Sequence, residues 1–287
     1  MHKVVAKLFE NVFIKIIASG KKIKFNVGLA AFLSVALVSC VYNAYKPDSG
    51  EAELVAFDLV ELEPTPDFTS ISDVTEKKKA FFEYLRPGIR AENQRVNNER
   101  RFLSAIQSRV SHNKSLSSAQ QQSVAALADS YQLPLQGQAV TQDWLDEMNT
   151  RVNVLPETLV LTQAANESAW GTSRFARKGN NYFGQWCYQK GCGLVPLQRH
   201  DEATHEVAKF DSAAESIHRY FMNVNRNQAY EELRAIRGEL SRQGVDLLDA
   251  ESATKLANGL LKYSERGQEY VNDLQAMIRH NEEFWKQ

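Results

Sequence analysis

The stretch Leu159–Gln185, LVLTQAANESAWGTSRFARKGNNYFGQ, decides how this chain is read. Its first half is an apolar helical run opened by Pro156, a residue suited to a first helical turn. The run ends at Glu167, followed at once by Ser168 and then by Trp170 and Gly171. A helix begun at Pro156 puts Glu167 on a face with Gln163 and Ala164, so its carboxyl points inward or to a cleft floor. A carboxyl at the mouth of a buried helix, shielded by indole, keeps its proton to higher pH, as a general acid must. The competing reading is an ion pair with Arg174 or Arg177, because an acid at a helix C-terminus is otherwise disfavoured.

Working outward, a helix is predicted from Thr75 or Asp73 to Leu85, stopped by Pro87-Gly88. A second runs over 89–110, apolar at Ile89, Val96, Phe102, Leu103 and Ile106, with arginines on a face expected to be solvated. Further helices are expected over 119–131, 142–151, 212–223, 231–242, 251–262 and 268–285. Between 185 and 210 the helical period fails. Glycines, Pro196 and the alternating Glu206–Phe210 run predict a small hairpin lobe beside the cleft. The fold class is therefore α+β and mostly helical.

Residues 27–42 form an apolar run behind Lys21, Lys22 and Lys24, the pattern of an exported chain. Residues 1–45 are read as a signal or membrane anchor. Leu37-Val38-Ser39-Cys40 also resembles a lipobox, so Cys40 is a candidate for lipidation, with an uncleaved anchor as the other reading. Residues 46–72, acidic and broken by Pro64 and Pro66, read as a linker, and 73–287 as the functional domain with its core at about 140–287. The net charge of −1 gives no overall pull toward nucleic acid. His200, His205 and His218 match no standard ligand spacing, so neither a metal nor an organic cofactor is expected. Cys187 and Cys192 bracket a short turn and, in an oxidising compartment, would form a disulfide stiffening the cleft rim.

The motif resembles that of the bacterial peptidoglycan β-N-acetylglucosaminidases typified by the flagellar rod-cap hydrolase, and especially their Bax-type branch. Gln163, Ala164, Glu167, Ser168, Trp170 and Gly171 match one family motif; Asn181, Phe183 and Gly184 match a second; Tyr263 with Ser264 matches a third. The resemblance spans most of 73–287 and implies a lysozyme-like fold with Glu167 as general acid and Tyr263 in the active site. Trp170 and Trp186 offer flat apolar faces for sugar rings, and Asn181 and Tyr182 offer hydrogen bonds to acetamido groups. Ser168, Phe183 and Gly184 complete the expected substrate-binding set, although Trp170 also suits the core and Asn181 a turn.

For the second catalytic group, Glu206 is preferred over Asp201, Glu202 and Asp211 because it leads a strand-like run. The substrate acetamide can serve instead, with Tyr263 orienting it. The expected partners are peptidoglycan glycan strands and, through the N-terminal segment, a membrane. The expected location is the Gram-negative envelope, facing the periplasm. A lytic transglycosylase, a muramidase and a non-catalytic wall-binding protein are the competing functions.

Overall fold

The structure, a computed structural model, describes Leu54, residues 57–197 and residues 205–285. The expected N-terminal anchor with Cys40, and also His200, Asp201 and Glu202, lie outside the described residues. Among the described residues no helix is long and apolar enough to cross a membrane.

Helix α1 spans Val74–Ser111 as one unbroken element with Pro87 inside it. The expected stop at Pro87-Gly88 does not occur. Proline removes one backbone donor, but Phe81, Phe82, Leu85, Ile89 and Val96 are all buried along the helix, and that burial outweighs the lost bond. Gly88 serves packing: a Cβ there would lie 2.6 Å from Ile217 Cδ1. Nor are all the arginines solvated. Arg95 is buried in ion pairs with Glu92 and Glu99, and Arg100 donates to the Val152 carbonyl.

Helices α2 (Ser118–Ser130), α3 (Gln142–Arg151) and α4 (Glu157–Ser168) follow, the first two capped by Ser117 and Thr141 side chains. Every residue from Thr158 to Ala165 is buried, which makes α4 the central helix of the domain. A short α5 (Arg174–Gly179) leads into the lobe, where β1 (Trp186–Cys187) and β2 (Gly193–Leu194) each pair antiparallel with β3 (Glu206–Ala208). The expected hairpin is thus a three-stranded sheet of order β1-β3-β2. Helices α6 (Ala213–Arg226), α7 (Glu231–Arg242), α8 (Ala250–Leu256) and α9 (Gln268–His280) complete the domain, with α1, α8 and α9 packed around α4.

The acidic stretch before α1 is not a free tether from Phe57 onward. Phe68 is buried against Phe81 and Tyr84, and Phe57 stacks near His218 and the Arg95 guanidinium. These aromatic contacts, with Leu62 and Ile71 against the core and a Thr65–Tyr84 hydroxyl bond, dock the segment despite its charge.

Candidate active site

Helix α4 ends in an unusual turn: Ala169, Trp170 and Gly171 all have positive φ, at 51°, 58° and 77°. Two consecutive non-glycine residues in this region carry strain that the surroundings must offset. Ser168 supplies part of the compensation, its Oγ donating to the Ala164 carbonyl at 2.6 Å and accepting from the Gly171 N–H at 2.9 Å. Backbone bonds from Trp170, Thr172 and Ser173 to the Ala165, Ala169 and Ser168 carbonyls add to it, as does the Trp170 side chain. Its ring packs edge-on against Phe81 and Phe82 of α1, with the Lys78 ammonium 5.3 Å from the ring centroid. Trp170 is thus half-buried, with its ring held edge-on against α1 beside the turn.

Glu167 stands half-buried at this helix end. Burial raises its carboxyl above the ordinary value, and hydrogen bonds from Tyr270 and Asn166 offset part of the rise. Both bonds fall on Oε1: Tyr270 Oη donates at 2.9 Å and Asn166 Nδ2 at 3.2 Å. The other oxygen, Oε2, faces Gly184, where a Cβ would stand 3.4 Å away. Gly184 itself has φ +65°, a conformation glycine adopts without strain. Neither Arg174 nor Arg177 pairs with Glu167. Arg174 Nη1 bonds the Val195 carbonyl instead.

A floor of tyrosines lies around this carboxyl. Tyr263 stacks on Tyr270 with ring centroids 5.3 Å apart, and its hydroxyl donates to the Phe183 carbonyl at 2.7 Å. Tyr263 thus fixes the Asn-Tyr-Phe-Gly segment and stacks on the tyrosine that bonds Glu167. Phe183 stacks on Tyr220 at 4.2 Å. Behind them Gln163 Nε2 donates to Tyr270 Oη at 3.1 Å, and Gln163 Oε1 accepts from Tyr220 Oη. Burial holds Tyr263, Tyr270 and Tyr220 far above ordinary tyrosine and pushes Tyr230 up to about 12.

The remaining expected residues divide by exposure. Asn181 is buried and spends its whole amide on backbone, donating to the Gln185 and Ala208 carbonyls and accepting from the Phe183 and Gln185 N–H groups. It ties the loop to the sheet and has no bond to spare for an acetamido group. Tyr182 is likewise buried, with its ring against Phe81 and Tyr84. Trp186 is 56% exposed and stacks one face on His205 at 4.0 Å, leaving an aromatic surface on the lobe.

Glu206 is 5% exposed, and its two oxygens accept the N–H groups of Gly191 and Gly193 at 3.0 and 2.8 Å. Beside it Cys187 and Cys192 are joined in a disulfide, with Cα atoms 6.2 Å apart. These two sulfurs and the Glu206 carboxylate form a group close enough to hold an ion, but the sulfurs are bonded to each other. Carboxylate and disulfide together brace one turn of the lobe. Reduction is expected to free that turn, at a cost of about 2 kcal/mol for so short a loop. Limited proteolysis with and without reductant checks this: new cleavage within 188–193 is expected only under reduction, and no new cleavage there would count against it.

No local sequence pattern marks Tyr270, Tyr220 or the hydrogen bonding of Gln163. Gln163 stands one helical turn before Glu167, which is a usable signal. Tyr270 lies 103 positions away and announces itself in no local pattern.

A helical domain with a small antiparallel lobe and a carboxyl at the end of a buried central helix defines a lysozyme-like fold. A family model described as Glucosaminidase, mannosyl-glycoprotein endo-beta-N-acetylglucosaminidase, matches residues 142–283. Protein bax of Escherichia coli (strain K12) is 30% identical over 217 residues, covering 76% of this chain and 74% of that protein. The chain belongs to this glucosaminidase family, in its Bax-like branch. No solved structure matches it.

Proposed function

We propose that this protein is a peptidoglycan hydrolase that cleaves the β-1,4 bond following N-acetylglucosamine, with Glu167 as general acid. The observation that carries the reading is the Glu167 carboxyl, raised by burial, with Oε1 occupied by donors and Oε2 facing Gly184. The proton leaves Oε2 for the glycosidic oxygen as the C1–O bond breaks. Glu206 is poorly suited to the complementary role because both of its oxygens are engaged by backbone. The acetamide of the substrate fits better: its carbonyl oxygen bonds to C1 as the leaving group departs. Water then attacks C1, its proton passes to the Glu167 carboxylate, and the acetamide is restored. The exposed face of Trp186 suits stacking on a sugar ring at the rim. We further infer an envelope location with the N-terminal apolar run as tether, which rests on the sequence pattern alone.

The test is digestion of purified sacculi, borohydride reduction and mass spectrometry of the released ends. Reduced N-acetylglucosamine ends support the reading. Anhydromuramic or reduced muramic ends would reassign the cleaved bond, and intact glycan would remove the activity. Gly184→Ala is a second check. A methyl group at left-handed φ beside Oε2 is expected to lower kcat/KM by roughly tenfold or more, with a stability loss of about 1 kcal/mol.

A further inference from the structure

We infer that Tyr220, Gln163 and Tyr270 are positioning residues that together place the acidic proton of Glu167 on Oε2, the oxygen facing the cleft. The inference rests on the reading of Glu167 as the acid. Its basis is the polarity of a chain of hydrogen bonds running from the core to the carboxyl.

Tyr220 is 1% exposed and directs its hydroxyl hydrogen to Gln163 Oε1. If the Gln163 amide turned over, that hydrogen would lose its acceptor in a buried site, a costly arrangement. Tyr220 therefore decides the amide orientation, and Gln163 Nε2 must face Tyr270 Oη. Because the Tyr270 oxygen accepts from Gln163, its own hydrogen is sent to Glu167 Oε1. Asn166 adds a second donor to the same oxygen. An oxygen accepting two hydrogens is the poorer site for a third, so the proton of the neutral carboxyl resides on Oε2.

Without Tyr220 the amide is released. Tyr270 then donates to Gln163 Oε1, and its oxygen accepts from a proton placed on Oε1, turned away from the glycan. The titratable groups that feel the charge of Glu167 are Tyr270 and Tyr263 from the C-terminal region, Tyr220 from α6 and Tyr230 from the turn before α7. All four are raised above ordinary tyrosine and stay neutral through the relevant range. A change in the titration below about pH 9 is therefore read as that of Glu167.

The experiment compares the wild type with Tyr220→Phe, Tyr270→Phe and the double variant. It records kcat and KM on sacculi-derived glycan against pH, and the carboxyl 13C NMR titration of Glu167 in the folded protein. Each single variant is expected to lower kcat by roughly tenfold with little change in KM. Tyr270→Phe removes a donor from the carboxylate, and Tyr220→Phe lets that donor turn to Gln163 Oε1, so in both the Glu167 midpoint and the alkaline limb of the profile move upward, by about one pH unit for Tyr270→Phe. The double variant is expected to shift no further than Tyr270→Phe alone, since both act through one bond. Tyr131→Phe, which removes a comparable buried bond to Glu99 away from the site, is the control for packing and should leave the Glu167 midpoint in place. A midpoint that moves in Tyr270→Phe but not in Tyr220→Phe overturns the chain, as does additivity in the double variant. A wild type that releases no ends defeats the acid assignment, and the NMR titration still decides the relay.

Discussion

Glu167→Gln is expected to lower glycan turnover by about 10²–10⁴-fold while making the folded protein more stable near neutral pH. The two effects share one cause. Burial raises the folded carboxyl above the ordinary 4.5, so the folded state resists ionisation more than the unfolded chain does. Below about pH 4.5 the group is neutral in both states and costs nothing. As pH rises toward the folded midpoint the unfolded chain gains ionisation free energy first, and stability is lost across that window. Glutamine does not titrate, yet its Oε1 can still accept from Tyr270 and Asn166. The Tm advantage of the variant should therefore open above pH 4.5 and level off past the folded midpoint. Each kcal/mol gained would appear as roughly 2–4 °C for a domain of this size. Paired measurements of end release and of Tm from pH 4 to pH 8 check both halves. Retained turnover would remove Glu167 from the acid's role, and a Tm difference independent of pH would refute the burial argument.

The second large effect is expected at Arg237 on α7. Its side chain is fully buried, with Nη1 donating to the Asn153 and Val154 carbonyls and to Asn225 Oδ1, and Nη2 to the Thr150 and Arg151 carbonyls. Burial without a carboxylate partner depresses the guanidinium pKa, a sign of how much desolvation these five acceptors offset. Two of them lie in the segment joining α3 to α4 and two at the end of α3, so this one side chain helps set where the central helix begins. Arg237→Met keeps the bulk but leaves several carbonyls buried without donors. The expected loss is about 3–5 kcal/mol, or roughly 10 °C in Tm. Arg237→Lys should recover only part of it, because an ammonium lacks the planar fork that reaches acceptors on two sides. Thermal unfolding of both variants measures this, and a loss under about 1 kcal/mol for Met would show that water or repacking satisfies the segment.

What the sequence by itself determined follows from interactions between neighbours in the chain. The helix opened by Pro156, the helices over 119–131 and 142–151, and the break in helical period at 185–210 are all local signals, and each corresponds to an observed element. Glu167 at the end of an apolar run was legible for the same reason. Pro87 was misleading because the local rule was outweighed by the apolar surface that α1 buries on either side of it. At the site, residue type alone left the roles of Trp170, Asn181 and Glu206 open. Trp170 lies against α1, Asn181 on loop and sheet backbone, and Glu206 on the turn closed by the disulfide. Only the tertiary structure decided these roles, because a polar side chain answers to whichever donors packing brings near it. The bond from Tyr270 to Glu167 spans 103 positions, and no period or motif reaches that far.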